Sequence, residues 1–122
     1  MTGFSHLQML VGDLAESERW YSVALGLDRF AADEERGYVA LRHRPSGVVI
    51  VLGRRAEGSA AAGQLDHLAF DVPDGPALEA WAAHLTAAGI EHEGVVVERN
   101  RPTLHLYDPE GIEIELVAPE PH

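Results

Sequence analysis

One stretch of the chain recurs at a fixed offset: His6, Leu7, Val11, Asp13, Glu18 and Trp20 are followed 61 residues later by His67, Leu68, Val72, Asp74, Glu79 and Trp81. Six identities at one spacing mark a structural unit used twice. Each half of the 122-residue chain would bury only a marginal core alone, so the halves are expected to pair within one domain. The repeat matters chemically because its histidines coincide. If the halves face each other across a pseudo-twofold axis, His6 and His67 come from equivalent strand positions and converge where one metal ion could bind.

The elements of each half follow from periodicity and punctuation. Residues 4 to 11 alternate as a strand, with His6, Gln8 and Leu10 on one face and Leu7, Met9 and Val11 on the other. Asp13 and Glu16 have capping-box spacing ahead of a helical stripe of Leu14, Trp20, Tyr21, Ala24 and Leu25, which Gly26 stops. Strands near 27–32, 37–43 and 48–52 complete a βαβββ module over about residues 4–57. The small residues 58–64 read as a linker. The second module, about 65–118, repeats the order: a strand at 65–72, a helix at 77–88, strands at 90–97 and 103–107, the turn Asp108-Pro109-Glu110-Gly111, and a last strand at 112–117. Trp20 and Trp81 are expected in the core. The fold class is therefore α+β, two βαβββ modules.

Composition removes several functions. The chain has no cysteine, so disulfides, thiolate metal sites and a cysteine nucleophile are excluded, and any metal must be held by nitrogen and oxygen. The net charge is −11 and all nine basic residues are arginine, which would repel a nucleic-acid backbone. No apolar run reaches the roughly 18 residues of a membrane span, and Met1-Thr2-Gly3-Phe4-Ser5-His6 has neither a basic region nor an apolar stretch. A cytoplasmic protein without nucleic-acid or membrane partners is expected.

The last strand adds a third donor. Ile112, Ile114 and Leu116 alternate with Glu113 and Glu115, so the apolar face turns to the helices and the carboxylates turn to the histidine side. Two imidazoles and a carboxylate with open positions suit Fe, Mn, Zn, Co or Ni as a divalent ion, and spacing does not choose among them. Glu113 reads as a rim residue. His43, His84, His92 and His122 read as structural or merely exposed, and Arg99 and Arg101 as solvated loop residues.

These runs resemble a known family. The stretch from His6 to Leu27, then Asp66-His67-Leu68-Ala69-Phe70-Asp71-Val72, then Asp108-Pro109-Glu110-Gly111-Ile112-Glu113-Ile114-Glu115-Leu116, is similar to the vicinal oxygen chelate superfamily, which includes glyoxalase I, extradiol dioxygenases, fosfomycin-resistance thiol transferases and bleomycin-binding proteins. The resemblance implies two modules whose mixed sheets curl into a partly open barrel. It implies metal ligands at His6, His67 and Glu115, and a small-molecule substrate chelating one divalent ion through vicinal oxygens. It also implies a homodimer. Some members add a fourth, carboxylate ligand from the first module; pairing Leu52 with Leu116 puts Val51 opposite Glu115, which points away from glyoxalase I. The dioxygenase tyrosine three residues before the Asp-Pro turn is replaced by His105, and the phosphonate-binding set of the fosfomycin enzymes is missing. His105, beside Glu115, is the candidate general acid/base. The alternative is a metal-free protein that binds a drug or metabolite, for which the acidic charge suits a cation such as bleomycin.

Overall fold

Two aspartates start the helices of this chain. In a computed structural model, described over residues 1–58 and 65–121, Asp13 accepts a hydrogen bond from the Glu16 amide at 3.0 Å and Asp74 one from the Ala77 amide at 2.8 Å. Each side chain thereby satisfies an amide that the first helical turn leaves without a partner. Helix α1 runs Leu14–Leu25 and ends on Gly26, whose φ of 74° is a left-handed conformation that a side chain would strain. Helix α2 runs Gly75–Ala87, with Pro76 in its first turn, where no amide is needed.

The first compact unit, Met1–Ala62, has β1 (Leu7–Val11), α1, β2 (Asp28–Asp33), β3 (Tyr38–His43) and β4 (Val48–Arg54). Its sheet order is β1-β4-β3-β2, with β1 parallel to β4 and the remaining pairs antiparallel. The second unit, Gly63–His122, has β5 (His67–Asp71), α2, β6 (Val96–Glu98), β7 (Arg101–Tyr107) and β8 (Glu113–Val117). Its order, β5-β8-β7-β6, repeats the first with the same parallel pair. The two βαβββ modules and their two mixed four-stranded sheets are those the sequence predicts. Most of the predicted linker lies outside the described residues.

Each helix covers one face of its own sheet, α1 packing on β3 and β4 and α2 on β7. The buried stripe is Ser17, Tyr21, Ala24 and Leu25 on α1 and Leu78, Ala82 and Leu85 on α2. Ser17, Tyr21 and Ala24 fall 61 residues before Leu78, Ala82 and Leu85, so the repeat preserves which positions are buried while redistributing their volume. The tryptophans are a correction to the sequence reading. Trp20 and Trp81 are half-buried, one step off the stripe, where they stand edge-on to Tyr21 and His84. Their repetition reflects a shared flank of the helix, and the core belongs to the neighbouring positions.

The strand expected at 90–97 is also shorter, reduced to Val96–Glu98. Arg99 and Asn100, with φ of 50° and 65°, form the two-residue loop between β6 and β7, and Glu98 pairs with Arg101 across it. Two positive φ values in succession give the turn whose twist matches that of the flanking strands.

Among the buried side-chain oxygens and nitrogens of the described residues, the Ser17 hydroxyl has no hydrogen-bond partner. It is 1% exposed against the core side of α1. A buried hydroxyl without a partner keeps its desolvation cost, so Ser17→Ala is expected to raise the unfolding free energy by about 1 kcal/mol in a urea titration. A loss of stability would show that the hydroxyl is paired.

Candidate metal centre

The register of the second sheet collects its polar residues on one face. His67 pairs with Glu113 and Ala69 with Glu115 across β5 and β8, while Tyr107 pairs with Glu113 and His105 with Glu115 across β7 and β8. Residues directly opposite in a sheet share a face, so His67, His105, Tyr107, Glu113 and Glu115 project together. The intervening Leu104, Leu106, Ile114 and Leu116 are buried on the other face, beneath α2. Alternation thus separates a polar face from an apolar one, with Glu113 and Glu115 opposite Ile114 as the sequence predicts.

His67 is held from two directions. Its Nδ1 lies 2.7 Å from the Asp66 carboxylate, and its Nε2 lies 3.5 Å from Glu115 Oε2. The hydrogen bond to Asp66, followed by the charge of Glu115, raises the pKa of His67 above its ordinary value. The other oxygen of Glu115 lies 3.4 Å from His105 Nδ1, so this carboxylate stands between the two imidazoles.

His105 is gripped at both ring nitrogens. Nδ1 meets Glu113 Oε1 at 2.6 Å and Nε2 meets Glu98 Oε1 at 2.7 Å. An ionised carboxylate only accepts, so a ring facing two of them must donate from both nitrogens, which requires the imidazolium. Burial by itself pushes the His105 pKa down; the hydrogen bonds to Glu113 and Glu98 and the charges of Glu98 and Glu115 outweigh it, and the net shift is upward. In the metal-free chain both histidine pairings therefore stabilise the fold below the ordinary pKa of 6.5, and that stabilisation is lost as pH rises through the raised native values.

Glu113 and Glu98 were not expected in these roles. Glu113 reads as a rim residue in the sequence, yet it is half-buried against His105. Glu98 lies beyond the end of the strand expected at 90–97, and only the turn at Arg99 and Asn100 returns it beside His105. A groove of about 850 Å³ opens next to this pair, lined in part by Glu91, Val97, Glu98, His105, Tyr107 and Glu113. His92 also lines the groove, with its ring tied to the backbone. Its Nδ1 accepts from the Gly94 amide at 3.0 Å, which leaves Nε2 to donate to the Ala82 carbonyl at 3.1 Å.

His6 belongs to the first unit, immediately before β1, where it is exposed with Nδ1 3.0 Å from the Ser5 hydroxyl. In that unit Gln8 pairs with Val51, as Ala69 pairs with Glu115 in the second. Val51 thus holds the register position of Glu115, and that position offers no ligand in the first unit.

Two ligand atoms bound about 2.1 Å from a tetrahedral ion lie about 3.4 Å apart. The 3.5 Å between His67 Nε2 and Glu115 Oε2 fits one ion shared by the two. Potential ligand atoms of Asp66, His67 and Glu113, and separately those of Glu98, His105 and Glu115, lie within 4.8 Å of one another.

Comparison with known proteins agrees with this architecture. The family model described as Glyoxalase/Bleomycin resistance protein/Dioxygenase superfamily matches residues 3–116. The structure is similar to a glyoxylase/bleomycin resistance protein/dioxygenase domain from Frankia sp. EAN1pec, with 25% identity, a TM-score of 0.84, and coverage of 100% of this chain and 96% of that one. It is similar to lactoylglutathione lyase from Agrobacterium tumefaciens, at 18% identity and a TM-score of 0.79, covering 98% of this chain and 96% of that one. A mutant of the fosfomycin resistance protein FosX from Listeria monocytogenes, in complex with Mn(II) and 1S,2S-dihydroxypropylphosphonic acid, is similar at 15% identity and a TM-score of 0.75, with coverage of 97% and 92%. No curated protein sequence matches the chain. No helix among the described residues is long and apolar enough to cross a membrane. With the family model spanning nearly the whole repeat, the chain belongs to the glyoxalase/bleomycin resistance protein/dioxygenase superfamily.

Proposed function

We propose that this protein is a divalent-metal-dependent enzyme of its superfamily, acting on a small molecule that offers two neighbouring oxygens, with His6, His67 and Glu115 as the metal ligands. The observation that carries the reading is the 3.5 Å separation of His67 Nε2 and Glu115 Oε2 on paired strands, with the other nitrogen of His67 already engaged. The ion, when bound, supplies Lewis acidity to the substrate oxygens. Fe, Mn, Zn, Co and Ni all suit such a nitrogen and oxygen set, and the FosX complex with Mn(II) supports a metal in this fold.

His105 is the proton carrier in this reading. Its Nδ1 is tied to Glu113 on the adjacent strand, whereas its Nε2 partner, Glu98, is half-exposed on the short β6. Substrate entering the groove displaces Glu98 more readily than Glu113, so the proton moves at Nε2. Tyr107 lines the same groove and gives the substrate an aromatic surface. The homodimer and the cytoplasmic location stay part of this proposal on the strength of the family resemblance.

A second reading has its own support. Glu91, Glu98 and Glu113 line the groove together with Val97 and Tyr107, a combination that suits an organic cation bound without metal. Elemental analysis separates the two. Protein purified without chelators is expected to carry about one transition metal per chain, and after dialysis against chelator to take up Fe, Mn, Zn, Co or Ni again at that ratio. A chain that carries none and takes up none, yet binds a cationic aromatic ligand, is a binding protein.

A further inference from the structure

Ser5 and Asp66 stand at the repeat offset of 61, and each bonds the Nδ1 of the histidine that follows it: Ser5 Oγ to His6 at 3.0 Å and Asp66 Oδ2 to His67 at 2.7 Å. Each unit therefore contains the same local device, built with different chemistry. From this paired geometry we infer that Asp66 is a positioning residue that fixes His67 in the tautomer whose Nε2 is free to ligate, and that Ser5 is its weaker counterpart at His6. The inference rests on the proposed metal ligands.

The difference between the two partners is what they permit. An ionised carboxylate can only accept, so Asp66 requires the proton on Nδ1 of neutral His67 and leaves the lone pair on Nε2, which faces Glu115. A hydroxyl both donates and accepts, so Ser5 allows either tautomer of His6. A carboxylate on the far nitrogen also makes an imidazole a more basic ligand, and its removal from metal sites typically weakens binding by roughly 10- to 100-fold. Asp66 is almost fully exposed, with its side chain 91% accessible, so its replacement does not disturb packing.

The position of Asp66 also argues against its being a ligand itself. Its oxygen is spent on Nδ1, while the nearest carboxylate to Nε2 is Glu115 on the neighbouring strand. One ion cannot take both nitrogens of one ring, and Nε2 is the nitrogen that shares the half-buried sheet face with Glu115.

The test measures Co(II) and Zn(II) affinity of chelator-treated protein by titration, with the Co(II) absorption spectrum as a record of the ligand set. Asp66→Ala is expected to weaken binding by roughly 10- to 100-fold with the Co(II) spectrum preserved. Asp66→Asn, which keeps an accepting oxygen, is expected between Asp66→Ala and the native protein, and Ser5→Ala within about threefold of it. Imidazole nitrogen NMR of the metal-free chain provides a readout independent of metal: neutral His67 carries its proton on Nδ1, and Asp66→Ala shifts the population toward Nε2–H. If His67→Ala abolishes binding while Asp66→Ala changes neither affinity nor tautomer, the brace is wrong and the ligand assignment stands. A changed Co(II) spectrum in Asp66→Ala makes Asp66 a ligand and overturns its positioning role. Native protein that binds neither ion refutes the ligand assignment and with it the inference.

Discussion

Glu115→Gln is expected to abolish stoichiometric metal binding, with a loss in affinity greater than the roughly 100-fold upper range for losing a residue that only supports a ligand. Glutamine nearly preserves the size of the side chain and its ability to accept a hydrogen bond, so the loss isolates the anionic donor. Glu115 is half-buried, 3.5 Å from His67 Nε2 and 3.4 Å from His105 Nδ1, and no other residue faces both rings at such distances among the described contacts. Removing its charge has a second consequence, measurable with no metal present. The Glu115 charge raises the pKa of both His67 and His105, so both are expected to titrate at lower pH in the variant. Asp66 remains the larger influence on His67, and Glu113 and Glu98 on His105, so neither histidine returns fully to its ordinary value. Histidine C–H resonances followed against pH give both shifts. Unchanged titration of His67 would place Glu115 too far away to share an ion with it.

The repeat makes most of the fold legible in the sequence. One set of identities at a constant offset predicted two modules of one topology, and each hydrophobic alternation located a strand and its buried face. Ile112 to Leu116 is the clearest case, because period-two alternation places Glu113 and Glu115 on the face opposite Ile114. The assignment of Val51 to the place of Glu115 also followed from aligning the two last strands, and the registers with Gln8 and Ala69 agree. Other features depend on geometry that periodicity does not carry. The tryptophans recur, but recurrence marks equivalent positions and not buried ones; burial went to Tyr21 in one helix and to Leu78 and Leu85 in the other.

Among the site residues the same division holds. His67, His105 and Glu115 sit on strands, where alternation fixes direction, so their shared face is legible in the sequence. Glu98 reaches His105 only because Arg99 and Asn100 both adopt positive φ, and neither forms the Asn-Gly or Asp-Gly pair that would have signalled so tight a hairpin. Asp66 had a visible signal, an acid immediately preceding the repeated histidine. Its meaning depends on a side chain folding back onto Nδ1, a contact between sequence neighbours that no strand period encodes.

The strand that carries both carboxylates has the greatest leverage on stability. Ile114 is fully buried in β8 between Leu68 on β5 and Leu106 on β7, with Glu113 and Glu115 on either side of it in sequence. Ile114→Ala leaves a cavity that β-sheet hydrogen bonding prevents from collapsing, because β8 is tied to a partner on both edges. The expected loss is about 2–5 kcal/mol, read as a lower urea midpoint at unchanged slope. Ile114→Val removes a single methylene, and the expected loss is about 0.5–1.5 kcal/mol. Metal then separates packing from chemistry. An ion that binds only the folded chain adds about 2.7 kcal/mol at a hundred times its dissociation constant. If Ile114→Ala leaves the backbone of β8 in register, its carboxylates still face His67 and His105, and saturating metal raises the variant and the native protein by the same amount. A smaller increment in the variant would mean that the cavity displaces Glu115, and that core packing beneath the sheet holds the metal ligands in place on its other face.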